Sequence, residues 1–167
     1  MVTWNFNETK NYKSVNGYKV LDFPDAKKAS KLLKEIDELI LKAFISIELT
    51  SNNTPEIDLL LNTPFYLQEI QLIKDQGKIK FDGLNKPKEV HLTNMKKIGI
   101  DGSLRANYRR IFLTIRERNG NIKTLKSLKP LIIHELTHTA MNHVTWRDDD
   151  HPKKFYKYYN IIKRHMV

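Results

Sequence analysis

The chain has 167 residues, 40% of them hydrophobic and 29% charged, and a net charge of +10. That size and balance fit one globular domain, read as residues 1–167, and exclude a disordered or fibrous chain. Cysteine is absent, so disulfides and thiolate metal sites are excluded. The N-terminal stretch MVTWNFNETKNYK lacks the apolar core of a signal peptide, and no apolar run approaches a membrane span. The expectation is an intracellular, non-secreted chain without a membrane segment, with a monomer as the working assumption.

The charge is unevenly placed. Residues 1–77 carry 9 basic and 11 acidic side chains, residues 78–130 carry 14 and 4, and residues 131–167 carry 6 and 4. The middle third therefore holds the whole excess. Concentrated positive potential of this kind attracts nucleic acid or another acidic partner.

In chain order, residues 1–22 are polar with scattered aromatics, and Tyr18 to Phe23 fits a short strand. A helix then starts at Pro24-Asp25. Ala29, Leu32, Leu33, Ile36, Ile40, Ala43, Phe44 and Ile47 recur at helical spacing, as a core stripe does. Ser51-Asn52-Asn53 breaks the chain. Thr54-Pro55 has the cap-then-proline signature of a short helix containing Ile57, Leu60 and Leu61. Thr63-Pro64 repeats that signature, and Leu67, Ile70 and Ile73 extend it toward Gly77. A strand over Gln68–Ile73 is the alternative.

Residues 78–119 change character. Lys78 to Phe81 and Val90 to Leu92 read as short strands between turns at Asp82-Gly83 and Asn85-Lys86-Pro87. His91 reads as structural. Gly99 and Asp101-Gly102 mark another turn. Arg110 to Arg118 alternates, with Ile111, Leu113 and Ile115 on one face. It is the expected edge strand for an extended peptide substrate. Arg105, Arg109, Arg110, Arg116 and Arg118 are the expected phosphate contacts. Asn119-Gly120 is a turn.

A second long helix follows, from Thr124 or Ser127. Ser127 is favoured, because Pro130 would then stand in the first turn, where its missing N–H costs nothing. This helix carries His134-Glu135-Leu136-Thr137-His138, an H-E-x-x-H motif. Residues four apart on a helix differ by about 40° around the axis, so both imidazoles leave one face and can share one zinc ion. Glu135 stands one residue round, placed to act on a water as general base without being a ligand. A catalytic zinc takes three protein ligands. His151 is preferred as the third, because Pro152 suits the first turn of a new helix that folds back on the first. His143 is the alternative, but an uninterrupted helix would turn it away from His134. Asp148, Asp149 and Asp150 are less favoured. The last helix places Phe155, Tyr158, Tyr159 and Ile162 at helical spacing, and Tyr156 or Tyr159 could donate to an oxyanion.

HELTH, a loop, and then His151-Pro152-Lys153-Lys154-Phe155-Tyr156 resembles the WLM and SprT-like (Spartan-like) zinc metalloproteases. Those families carry an HELAH-type helix, then a His that opens a second helix and is followed four residues later by an aromatic. Arg110 to Arg116 resembles the strand before their active-site helix. The resemblance spans about Ile98 to Lys163. It implies a minimal gluzincin, a one-zinc endopeptidase, in families that cleave proteins crosslinked to DNA. The expected fold is α+β and zincin-like. A long N-terminal helix and the active-site helix pack on a small mixed sheet, and a C-terminal helix follows the third ligand. The chain departs from these families in its twelve-residue spacer between His138 and His151 and in lacking a cysteine zinc ribbon. The expected partners are a protein substrate and DNA, the latter through residues 78–130. Two rival readings are a peptidase with one dedicated protein target and no DNA role, and a non-catalytic nucleic-acid-binding module with a structural zinc.

Overall fold

A computed structural model describes residues 11–71, 74–75, 78–79, 83–89, 107–142 and 153–167. The fold is α+β: four described helices and a small mixed sheet. Strands β1 (Tyr12–Val15) and β2 (Tyr18–Leu21) form a hairpin. Its turn is Asn16-Gly17, with φ of 51° and 85°. Both residues tolerate the left-handed region that such a two-residue turn demands.

Helix α1 (Ala26–Thr50) buries Ala29, Leu32, Leu33, Ile36, Ile40, Ala43 and Ile47, the stripe its sequence spacing marks. Helix α2 (Pro55–Asn62) is capped by Thr54, whose hydroxyl accepts from the Ile57 amide, with Pro55 in the first turn.

The second Thr-Pro signature does not make a helix. Phe65–Glu69 is strand β3, parallel to β7 (Asn107–Leu113) in the register Phe65↔Arg109 to Glu69↔Leu113. The aromatic and branched side chains gain more from that pairing than from a short helix, so tertiary context overrides the local signal. Strands β4 (Lys74–Asp75) and β5 (Lys78–Ile79) pair with each other.

Strand β6 (Gly83–Glu89) runs antiparallel to β7 through both segments that read as turns. The main sheet has the order β1-β2-β3-β7-β6. The strand expected at the edge, β7, therefore lies inside, and β1 and β6 are the two edge strands among the described residues. Val90 to Leu92, with His91, lies outside the described residues.

Helix α3 (Leu125–Ala140) and helix α4 (Lys153–His165) complete the fold. Helices α1 and α3 lie on one face of the sheet, the face of Phe65, Leu67, Ile111 and Leu113. Phe65 meets Phe44 of α1 edge to face, with ring centroids 6.0 Å apart. Leu128, Ile132 and Leu136 of α3 join the same core.

A buried ion network locks the sheet to the start of α1. Arg116 Nε donates to Glu69 Oε1 at 2.7 Å and its Nη1 to Asp25 Oδ1 at 2.7 Å, and the guanidinium lies over the Phe23 ring. Burial pushes the Glu69 carboxyl up, while Arg116 and the Leu21 amide pull it down. No helix among the described residues is long and apolar enough to cross a membrane.

Candidate metal centre

Thr124 starts α3: its hydroxyl accepts from the Ser127 amide at 3.2 Å. The favoured start at Ser127 is thus three residues late, and Pro130 stands in the second turn. The threonine cap holds the preceding turn helical despite the missing proline donor.

The helix ends at Ala140, and Asn142 has a φ of 55°. A left-handed asparagine terminates a helix cheaply. The helix end that His143 would need in order to turn back toward His134 is therefore present. His143 and His151 both lie outside the described residues.

The two histidines of the motif come together. His134 Nε2 and His138 Nε2 are 3.1 Å apart, the rings are near-perpendicular at 80°, and both residues are half-buried. Two nitrogens each about 2.0–2.1 Å from one tetrahedral zinc stand about 3.3–3.4 Å apart. The observed pair fits that requirement, as it also fits one ring donating to the other. Among the described residues no group of three metal-ligating side chains converges.

Phe155 of α4 closes the back of the pair. It is fully buried, with its ring centroid 5.3 Å from that of His134 and 5.1 Å from that of His138. Phe155, in the first turn of α4, thereby holds the start of that helix to the α3 histidines. Tyr158 fastens α4 to α2 by donating to Glu56 Oε2 at 2.9 Å while its oxygen accepts from the Thr54 hydroxyl at 3.1 Å, and Lys154 pairs with Glu56. Tyr156 is exposed, and its ring touches those of Phe155 and Tyr159.

Glu135 is buried at 3% exposure and faces β6. A Cβ on Gly83 would come within 2.9 Å of Glu135 Oε1 and 2.8 Å of Leu131 Cδ1. Gly83 is therefore glycine for close approach rather than for a turn. Two residues on, Asn85 Nδ2 donates to the Glu135 carbonyl at 2.6 Å and to Thr139 Oγ1 at 2.7 Å. Arg109 Nη1 in turn donates to Asn85 Oδ1 at 3.2 Å. Sequence reasoning missed Gly83 and Asn85 because glycine, asparagine and Pro87 in one short stretch read as turns. A proline in an outermost strand is admissible, since only one side of the strand must donate.

The five arginines separate. Arg109 is 3% exposed, and burial pulls its guanidinium down to about 10. Arg116 is equally buried and is committed to Glu69 and Asp25. Burial takes both out of reach of a phosphate. Arg110 is half-buried, Arg118 is exposed, and Arg105 lies outside the described residues.

Compared with known proteins, the chain matches no family model, no curated protein and no solved structure.

Proposed function

We propose that the chain is a zinc-dependent endopeptidase of the WLM/SprT-like kind, with a zincin-like fold, acting on DNA-bound or DNA-crosslinked proteins. One observation carries the enzyme part: two imidazoles at helical spacing hold their Nε2 atoms 3.1 Å apart, with a carboxylate on the residue after His134. His134 and His138 would hold the ion. His151 is the third ligand in this reading, favoured because Phe155, four residues later, rests on both histidine rings. Zinc bound there supplies Lewis acidity, acidifying a water and polarising a peptide carbonyl.

Glu135 would serve as the general base, its carboxylate taking a proton from the attacking water and returning it to the leaving amine. A carboxylate that only completed a structural site would not need this position. Gly83 leaves the room that the Glu135 carboxylate occupies, and Asn85 fixes the helix turn that carries it. Strand β6 replaces β7 as the strand on which an extended substrate aligns, because β6 is outermost and lies against α3. The DNA part rests on the excess of basic residues in 78–130 and on the family resemblance.

The test compares wild type and Glu135→Gln, both loaded with zinc, on a basic DNA-binding protein with and without single-stranded DNA. Cleavage by wild type only, stimulated by DNA, is the expected result. Cleavage indifferent to DNA would move the reading to a dedicated peptidase. Equal cleavage by both proteins would remove Glu135 from the chemistry.

A further inference from the structure

The described helices lie on one face of the sheet, and the other face carries rings and cations. On β2, Tyr18 and Val20 face α1, so pleating turns Lys19 away from it, and Lys19 is exposed. In register with it, Gln68 and Tyr66 of β3 take the same outer face, as do Tyr108, Arg110 and Phe112 of β7. Tyr66 is 59% exposed, and its ring packs edge to face on that of Tyr108, with centroids 5.4 Å apart.

Tyr66 lies directly beside Arg110 in the β3–β7 register. Arg110 donates to Gln68 Oε1 through a long bond of 3.4 Å, and its buried Nε has no hydrogen-bond partner among the described residues. Across the next strand Lys86 is opposite Arg110 and Lys88 opposite Tyr108. Glu69, the acidic residue of β3, faces the other way and is buried against Arg116.

The exposed Tyr66 ring, with half-buried Tyr108 beside it, offers a surface to a flat partner, and neighbouring cations select a polyanion. A nucleic-acid strand offers both partners at once, a base face for each ring and a phosphate for each cation. A duplex hides its base faces in the stack, so rings of this kind favour an unpaired strand.

We propose that this sheet face, opposite the described helices, is a platform for single-stranded DNA, with Tyr66 and Tyr108 stacking on bases and Arg110 and Lys19 meeting phosphates. It rests on the DNA-linked part of the reading above and gives that part a location. The platform lies on the opposite side of the sheet from His134 and His138, so a strand bound there leaves the metal centre open to a protein substrate.

Fluorescence anisotropy of a labelled oligothymidylate with the full chain tests this. Wild type is expected to bind with an affinity that falls as salt rises. Tyr66→Ala, which should fold because its ring is mostly exposed, weakens binding roughly tenfold at fixed salt, and Tyr66→Phe restores it. Arg110→Gln flattens the dependence of log affinity on log salt by roughly 0.7.

Undiminished binding by a Tyr66→Ala, Tyr108→Ala double variant would overturn the platform while leaving the DNA-linked reading standing. Equal affinity for a duplex of the same length, or tighter binding of oligouridylate, would overturn single-stranded DNA as the occupant. No binding of any of the three by wild type would overturn the platform together with the DNA-linked reading, and would leave the zinc chemistry to its own test.

Discussion

The side-chain amide of Asn85 donates to the main-chain carbonyl of Glu135, and its own carbonyl accepts from Arg109. One uncharged residue on β6 thus fixes the turn of α3 that carries the proposed base, and shields a buried guanidinium that has no carboxylate partner among the described residues. Asn85→Ala is expected to cost about 1–3 kcal/mol, because Arg109 then keeps its charge and loses its acceptor. At about 2–4 °C per kcal/mol for a chain of this size, melting should fall by several degrees. Turnover should fall further than zinc affinity. A variant with unchanged melting and unchanged turnover would show that the contact does not matter.

Gly83→Ala tests the close approach on the other side of Glu135. The atoms a Cβ would meet are the ends of two flexible side chains, so the fold should survive while the carboxylate is displaced. Misplacing a catalytic group by about 1 Å costs on the order of a hundredfold. The expected outcome is full zinc content with turnover reduced roughly ten- to a hundredfold. Wild-type turnover in a folded Gly83→Ala protein would count against Glu135 acting from this position.

Arg116→Ala separates structural arginines from surface ones. Removing one partner of a buried ion pair typically costs about 3–5 kcal/mol, since the remaining charge is stranded. Urea denaturation should show a loss of that order. Where the variant is folded, its salt dependence of DNA binding should match wild type. A stable variant with a flatter salt dependence would put Arg116 back on the surface.

The Glu56 carboxyl is lowered to about 2 by hydrogen bonding with Lys154 and Tyr158. A depressed carboxyl stabilises the fold above its unfolded value of about 4.3, and that contribution is lost as pH falls toward about 2. The metal-free protein should therefore lose melting temperature more steeply between about pH 5 and pH 2.5 than Glu56→Gln does. Parallel curves for the two proteins would show that the tie between α2 and α4 contributes nothing.

Periodicity made α1 legible, because a 3.6-residue stripe such as Ala29 to Ile47 reports burial directly. The histidine pair was legible because helical spacing alone brings His134 and His138 together. Strands β3 and β6 were not. Phe65–Glu69 becomes a strand through its pairing with Arg109–Leu113, far along the chain. Gly83, Asn85 and Pro87 are explained by contacts to Glu135 and by an outermost position, neither of which is written locally. Arginine count located positive charge but could not tell Arg116, locked beneath Phe23, from Arg118 on the surface. The Asn16-Gly17 hairpin was written locally and was simply not read.

Metal analysis tests the central claim most directly. Purified wild type, exposed to zinc and then dialysed, should retain one zinc per chain, and Glu135→Gln should retain the same. His134→Ala and His138→Ala should each lose it while keeping the helical signal of the fold. His151→Ala should lower occupancy more than His143→Ala does. Zinc retained by His134→Ala at wild-type stoichiometry, or no zinc held by wild type, would contradict the account.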